Sequence, residues 1–220
     1  MRRIVRPEIL DTTEPSPEDV RDSLVDLQRI NRWFGGTSTM AQLVDEVLAI
    51  AGKKELSLLD VGSASGDIPH EIQQKLTRRG VLLSYTLLDR DVAHFNRNDV
   101  ARVRGDALAL PFRDNSFDVV GCSLFAHHLE PAELNHFARE ALRVSRIALL
   151  INDLRRSYLH LAAVYAGKPL FRWITRHDSV ASVQRSYTSD EMRAMLNHGA
   201  ARKVSVTSGY LFRIGAIAWK

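Results

Sequence analysis

Cysteine is nearly absent from this sequence, since Cys122 is the only one in 220 residues. No disulfide can form within the chain, which excludes a small secreted scaffold built on disulfides. Long apolar runs are also missing, because none approaches the roughly 20 residues that span a bilayer. The charged start is not followed by a signal-peptide core. The sequence therefore predicts a cytoplasmic protein without a membrane span.

A strong excess of one charge is absent as well. The 30 Lys and Arg residues against 26 Asp and Glu residues leave a net charge of +4. The basic residues are spread along the chain, whereas a nucleic-acid-binding surface needs them clustered on one face or helix. We therefore expect a small-molecule partner and no nucleic acid. We expect the basic residues Arg2, Arg3 and Arg6 to form a solvated terminus.

The length and the 45% of apolar residues suffice for one α/β domain over residues 1–220. Ser16 and Pro17 have the residue types that begin a helix, as its cap and first residue. The pair Gly35-Gly36 separates this helix from a second one. Residues 1–53 are therefore predicted to form a helical lid that precedes the first strand.

Strand and helix patterns alternate through residues 54–153, which indicates parallel strands with both faces of their sheet covered. The predicted elements are strands at Leu56–Val61, Val81–Leu88, Ala101–Arg104, Phe117–Leu124 and Ile147–Ile151, and helices at Ile68–Arg79, from Asp91 and at Pro131–Val144. Residues 154–220 differ: a helical region runs through Trp173, and a capping box at Thr188 opens a helix to about Asn197. Two β-like runs, Lys203–Ser208 and Tyr210–Trp219, predict a closing antiparallel pair.

A glycine loop follows the first predicted strand, with Gly62 and Gly66 between Asp60 and a helix. Such a loop brings backbone N–H groups and a helix N-terminus close to a ligand. The third glycine of a dinucleotide fingerprint is missing, and Asp67 in its place would repel a pyrophosphate. This argues against a nicotinamide-dependent oxidoreductase and favours a ligand that carries an amine and a positive sulfonium.

Two further acids follow the next two predicted strands. Asp89 comes about 23 residues after the loop, a spacing that suits hydrogen bonds to both hydroxyls of a ribose. Asp106, after Gly105, is placed to accept a hydrogen bond from an adenine amine, although an Asp after a Gly is often only a turn residue. Three acids at three successive strand ends together indicate an adenosine-containing cofactor.

These motifs resemble those of class I S-adenosylmethionine-dependent methyltransferases, especially the small-molecule group similar to the ubiquinone and menaquinone biosynthesis enzymes. The matching core spans about residues 55 to 153, and Ala64 stands where that family usually has glycine. The resemblance implies a doubly wound, mostly parallel seven-stranded α/β sheet of order 3-2-1-4-5-7-6, with the last strand antiparallel and helices on both faces. The expected contacts with S-adenosylmethionine are Asp60, Gly62, Ala64, Gly66, Asp89, Arg90, Asp106, Ala107 and Cys122.

The sequence signals for the residues that bind the methyl acceptor are less specific than those for the cofactor. His127 and His128 follow the fourth predicted strand, and either could serve as a general base, with His128 preferred. His177 beside Asp178 is a secondary catalytic candidate, although neighbours on a helix do not normally face each other. The expected substrate contacts are Trp33, Phe34, Asp153 and Arg155, and no metal ligands are expected.

The predicted reaction is methyl transfer from S-adenosylmethionine to oxygen or carbon of a small, aromatic or lipid-like acceptor. The run from Cys122 to Phe125 lacks the Asn or Asp with Pro-Pro and an aromatic residue that many nitrogen methyltransferases have there, which disfavours that chemistry. Two alternatives stay open: an RNA or protein methyltransferase, and a non-catalytic partner subunit that binds S-adenosylmethionine. The sequence indicates neither the acceptor's identity nor the oligomeric state.

Overall fold

The computed structural model describes residues 1–12, 15–91, 99–198 and 200–220. Of Tyr210, only the backbone is described. The helix predicted to start at Asp91 falls on residues 92–98, which lie outside the described residues. Within the described part of the chain, no helix is both long and apolar enough to cross a membrane.

Seven strands and seven α-helices lie in these described residues. The strands are β1 (Glu55–Val61), β2 (Leu82–Asp89), β3 (Ala101–Arg104), β4 (Phe117–Ser123), β5 (Ser145–Leu154), β6 (Lys203–Ser208) and β7 (Arg213–Trp219). The helices are α1 (Pro17–Trp33), α2 (Gly36–Ala51), α3 (Asp67–Thr77), α4 (Pro131–Val144), α5 (Tyr158–Gly167), α6 (Trp173–Arg185) and α7 (Ser189–Asn197). The predicted caps are confirmed, because Ser16 and Thr188 each accept a hydrogen bond from the backbone N–H three residues ahead.

The sheet order is β3-β2-β1-β4-β5-β7-β6, and β7 is antiparallel to both of its neighbours. The order implied by the resemblance is confirmed. Strands β1 to β5 are parallel, so their carboxyl ends lie at one edge of the sheet. In register, Asp60 on β1 lies opposite Leu87 on β2 and Gly121 on β4. Residues that follow these strands therefore converge at one edge, where α/β sheets bind ligands.

Helices cover both faces of the sheet, as expected. Met40 and Val44 of α2 share one buried cluster with Ile72 of α3. On the opposite face, Phe137 of α4 and Met192 of α7 belong to a second buried cluster. Helix α2 packs on β5 and β7, so it is part of the cover of the sheet. Within residues 1–53, α1 and the segment before it are therefore the parts that face the ligand side.

The last strand begins later than predicted. Residues Tyr210–Phe212 form a short 3-10 turn, and β7 starts at Arg213. Leu211 and Phe212 have φ values of 49° and 65°, in the left-handed region that ends regular extended structure. Strand β5 is longer than predicted because its ends pair on both sides, Ser145 with β4 and Leu154 with β7.

The N-terminal segment is not a solvated tail. The Arg3 guanidinium bonds the backbone oxygen of Arg185 at 2.7 Å and forms an ion pair with Glu130 at 2.9 Å. The backbone N–H of Ile4 donates to the oxygen of Gln184 at 3.0 Å. The expectation for Arg3 is therefore wrong, since its bonds to residues far along the chain hold the segment against α6 and the start of α4.

Candidate active site

A cavity of about 820 Å³ lies at the carboxyl edge of the sheet. One half contains the glycine loop, Asp89 at the end of β2, and Asp106 after β3. The other half has apolar side chains, among them Leu27 and Ile30 of α1 and Val164 of α5, beside a cluster of charged and histidine side chains. The cavity is therefore large enough for a nucleoside-sized group and a second small molecule, and its two halves differ in chemistry.

The glycine loop has the backbone geometry that its residue types indicate. Gly62 has a φ of 64°, and a Cβ there would lie 2.5 Å from Cδ2 of Phe125. Gly66 has a φ of 68°, and a Cβ there would lie 2.7 Å from Cδ1 of Leu87. Ala64 has a φ of 44°, so it adopts the left-handed region without being glycine. Alanine at position 64, where the resembled family usually has glycine, therefore adds backbone strain as well as a methyl group.

Backbone bonds fix this loop to the end of β2. The N–H groups of Gly62 and Ser63 donate to the oxygen of Leu88 at 2.9 and 3.3 Å. The N–H of Ala64 donates to one carboxylate oxygen of Asp89 at 2.9 Å. The other oxygen of Asp89 accepts from the N–H of Asp91 at 3.1 Å. The carboxylate predicted to bind ribose is therefore held in place before any ligand arrives.

Three of the predicted cofactor residues lie beneath the cavity wall. Asp60 is buried and absent from the lining, as are Gly66 and Cys122. Burial raises the pKa of Asp60 well above its usual value, and the nearby charges of Asp67 and Asp89 raise it further. Burial likewise raises the pKa of the Cys122 thiol. In the described structure these residues support the wall and do not form it.

Asp106 and Arg90 form an ion pair at the rim of the cavity. One guanidinium nitrogen of Arg90 lies 3.0 Å from each carboxylate oxygen of Asp106. Asp106 also accepts from the N–H of Leu108 at 2.9 Å. The hydrogen bond from Leu108, together with Arg90, lowers the pKa of this carboxyl. Both residues and Ala107 line the cavity, so the structure brings these three predicted residues together.

His127 and His128 lie in the cavity wall within a cluster of acids. His127 Nδ1 is 2.7 Å from Asp153 Oδ1, and its Nε2 is 3.3 Å from Glu8 Oε1. His128 Nδ1 is 3.0 Å from Asp11 Oδ2, and its Nε2 is 3.7 Å from the same Glu8 oxygen. Burial opposes protonation of His127, but the charges of Asp153 and Glu8 outweigh it and raise its pKa to about 10. The isolated chain therefore holds His127 as a cation at neutral pH.

The other acceptor-side predictions separate into two groups. Phe34 lines the cavity, and Asp153 is buried behind it as the partner of His127. Arg155 lies outside the lining with its guanidinium 6.0 Å from the Phe212 ring, and Trp33 is 63% exposed and also outside it. The burial of Asp153 excludes a surface ion pair for this carboxylate.

His177 also lies outside the cavity lining, and its side chain is half exposed. It does contact Asp178, with His177 Nδ1 2.9 Å from Asp178 Oδ1, although neighbours on a helix do not normally face each other. Asp178 lines the cavity, where its carboxylate accepts the N–H groups of Ile9 and Leu10 at 2.8 and 3.1 Å. Asp178 thus holds the N-terminal segment against α6.

Sequence reasoning missed Glu8 and Arg213. Arg213 is 1% exposed, lines the cavity, and donates from Nε to the oxygen of Phe34 at 3.1 Å. Burial lowers its pKa to about 10, against the opposing charges of Asp153 and Asp67. An arginine at the head of the otherwise apolar run from Ile214 to Trp219 was a usable signal. No sequence signal indicated Glu8, because it lies in an aperiodic segment more than a hundred residues from the histidines it contacts.

His160 lines the cavity, and its burial makes the stability of the fold depend on pH. Its ring stacks on Phe212 with centroids 4.8 Å apart, and burial lowers its pKa to about 4. The unfolded chain takes up a proton below about pH 6.5, whereas the folded chain resists it, so stability falls as the pH drops. Between pH 7.5 and pH 5 we expect this group to cost roughly 2 kcal/mol of unfolding free energy.

Urea unfolding at both pH values measures this effect. His160→Gln removes the titrating group, so its loss of stability on acidification should be smaller than that of the unsubstituted chain. Equal losses in the two proteins would show that His160 does not carry the effect.

Comparisons with known proteins agree with this arrangement. Residues 59–147 match the family described as a methyltransferase domain. The chain is similar to a SAM-dependent methyltransferase from Aquifex aeolicus, with a TM-score of 0.63 and 18% identity over 94% of this chain and 99% of that one. It is also similar to the plantazolicin methyltransferase BpumL in complex with SAH, with a TM-score of 0.71 and 14% identity over 94% and 91% of the two chains.

The family match lies on the part of the chain that builds the cofactor half of the cavity, from the glycine loop to the start of β5. The sheet order and the acids at the strand ends fit the same conclusion. Residues 59–147 form a methyltransferase domain, and the chain has the class I S-adenosylmethionine-dependent methyltransferase fold.

Proposed function

We propose that this methyltransferase transfers the methyl group of S-adenosylmethionine to an oxygen or carbon atom of a small, aromatic or lipid-like acceptor. The observation that carries the proposal is that one cavity joins the acidic strand ends to a wall of apolar side chains that also contains two histidines. Acids at the strand ends suit the hydroxyls of an adenosyl cofactor. A wall that combines apolar side chains with a cluster of polar groups at one place suits a small, mostly apolar second molecule with a polar group of its own.

In the proposed complex, Asp89 accepts hydrogen bonds from both ribose hydroxyls. Asp106 and Ala107 contact the adenine, with Arg90 holding the Asp106 carboxylate by their ion pair. Gly62 and Ala64 face the amino-acid end of the cofactor. Asp60, Gly66 and Cys122 act from beneath the wall, where they fix the shape of the loop and of the adjoining strands.

The acceptor occupies the apolar half in this proposal. Its nucleophilic atom attacks the methyl carbon in line with the sulfur, the carbon–sulfur bond breaks, and its electron pair returns to sulfur as a neutral thioether. The leaving group already carries a positive charge, so the chain mainly has to position the acceptor and exclude water. His127 and His128 are proposed to lie nearest the reacting atom and Phe34 to contact the acceptor. Trp33, Arg155 and His177 have no direct contact in this proposal.

The test combines binding with turnover. We expect calorimetry to show binding of S-adenosylmethionine and S-adenosylhomocysteine but not of NAD. A screen of phenols and quinol precursors with labelled methyl donor should then yield a labelled small molecule. Binding of NAD without the other two ligands would contradict the proposal at its first step.

Two alternative outcomes have distinct signatures in the same experiment. An RNA or protein methyltransferase would label macromolecules and leave the small phenols unlabelled. A non-catalytic partner subunit would bind S-adenosylhomocysteine and label nothing. Labelling of a small acceptor on oxygen or carbon distinguishes the proposed function from both.

A further inference from the structure

We propose that Glu8, His127 and His128 bind a divalent transition-metal ion in the wall of the acceptor half of the cavity. We further infer that the ion binds an oxygen atom of the acceptor, which makes this an oxygen methyltransferase. Metal binding stands on the geometry of the three side chains alone. The role given to the metal rests on the proposed function. It narrows the atom that receives the methyl group from oxygen or carbon to oxygen.

The first support is the convergence of three ligand atoms. One potential ligand atom from each of these residues lies within 4.8 Å of the other two. The Nε2 atoms of His127 and His128 lie 3.3 and 3.7 Å from Glu8 Oε1. Bond lengths of about 2.0–2.2 Å to zinc place the ligands of a tetrahedral site about 3.4 Å apart. Two of the three ligand separations therefore bracket the value that a metal ion requires.

The second support is the set of partners behind the histidines. His127 Nδ1 is bound to Asp153 at 2.7 Å, and His128 Nδ1 to Asp11 at 3.0 Å. Metal-binding histidines almost always have their second nitrogen held in this way by a carboxylate or a carbonyl, which fixes the ring and its tautomer. Both rings thus have Nδ1 occupied, and their Nε2 atoms approach the same carboxylate.

The third support is a buried nitrogen without a well-aligned hydrogen bond, His127 Nε2. His127 Nε2 is buried and has no hydrogen bond of good geometry among the described residues, although Glu8 Oε1 is 3.3 Å away. Glu8 Oε1 accepts its hydrogen bond from Ser182 Oγ at 2.8 Å. A buried nitrogen whose contact with an acceptor is poorly aligned is costly unless something better aligned binds there. A cation between His127 and Glu8 would satisfy it and add little bulk.

The site also has the form of a catalytic metal centre. Two histidines and one carboxylate are the protein ligands of catalytic zinc in some hydrolases and of non-haem iron in oxygenases. Such sites leave at least one coordination position open for substrate. Glu8, His127 and His128 all line the cavity, so an open position would face the proposed acceptor.

The chemical role follows from the charge of the ion. A hydroxyl oxygen of the acceptor binds the metal, and its pKa falls because the metal stabilises the oxyanion. The hydroxyl proton leaves to solvent, the oxyanion attacks the methyl carbon, and the carbon–sulfur electron pair goes to sulfur. The metal keeps its oxidation state throughout, so no oxidant or reductant is needed.

The experiment is a calorimetric titration of chelator-treated protein with Zn²⁺. We expect one Zn²⁺ to bind per chain. Glu8→Gln and His127→Gln should weaken binding about 100-fold or more, and Asp153→Asn, behind the ligands, about 10- to 100-fold. His198→Gln is the matched control, since His198 is exposed at the end of α7, and it should bind Zn²⁺ unchanged.

Circular dichroism and S-adenosylhomocysteine binding show whether each variant is folded. Absence of Zn²⁺ binding to the folded, unsubstituted protein would overturn the proposal and leave the cluster as an ion-pair anchor for the N-terminal segment. Binding that Glu8→Gln and His127→Gln leave unchanged would overturn the assignment of ligands. Zn²⁺ binding without methylation of any small acceptor would contradict the proposed function and keep the metal site.

Discussion

Replacing Asp89 with alanine is expected to weaken S-adenosylhomocysteine binding about 100-fold. Its carboxylate would accept two hydrogen bonds from the ribose hydroxyls, and bonds to charged groups contribute roughly 1.5–3 kcal/mol each. The loss of about 3 kcal/mol corresponds to a factor of about 100 in the dissociation constant. The substitution also removes the acceptor of the Ala64 N–H, so the glycine loop loses a bond at the same time. Calorimetry with S-adenosylhomocysteine measures the change.

Asp114→Ala is the matched control for this experiment, because Asp114 is exposed and paired with Arg143 away from the cavity lining. Its affinity for S-adenosylhomocysteine should equal that of the unsubstituted chain. Asp89→Asn should fall between the two, since the amide keeps the size of the side chain and one acceptor oxygen. An Asp89→Ala variant that binds as tightly as the control would remove Asp89 from the ribose site.

Asp153→Ala is expected to lower the free energy of unfolding by about 3–5 kcal/mol. Asp153 is 1% exposed, and its carboxylate accepts from the N–H of His127 at 2.8 Å and pairs with His127 Nδ1 at 2.7 Å. Truncation leaves both groups of His127 buried without their partner. Removing one side of a buried ion pair is costly for that reason, whereas an exposed pair contributes little.

Urea unfolding with linear extrapolation provides the measurement. Asp45→Ala is the control, because Asp45 forms an exposed ion pair with Arg79 at 2.6 Å, and it should cost less than about 1 kcal/mol. If Asp153→Ala cost no more than Asp45→Ala, the contact with His127 would not stabilise the fold. A sharp loss of stability would show that the buried contact of Asp153 with His127 stabilises the fold.

The sequence predicted the sheet and its ligand edge because both leave local signals. Strands β1, β2 and β4 are rich in apolar residues, glycines follow β1 and β3, and β2 ends on an acid. The residue at a strand end is fixed by the strand itself, so Asp89 and Asp106 could be placed without knowledge of tertiary contacts. The turn before β7 was not predicted, because the residue types of Leu211 and Phe212 do not favour the left-handed backbone that they adopt.

The acceptor half could not be predicted in the same way. Glu8 and Asp153 meet at His127 from segments separated by most of the chain, and neither has a periodic pattern that indicates the contact. Trp33 was expected to face the acceptor because it is aromatic, but its helix ends with that side chain exposed. Long-range contacts of this kind depend on how the helices pack after the sheet has formed.

The Phe125 ring links the two halves of the cavity. It occupies the space beside Gly62, stacks on His128 with ring centroids 6.4 Å apart, and packs edge-on against Phe137 at 5.7 Å. A movement of the glycine loop toward β4 would displace this ring and, with it, the ring of His128. Cofactor and acceptor would then bind with a coupling free energy, each changing the affinity of the other by the same factor.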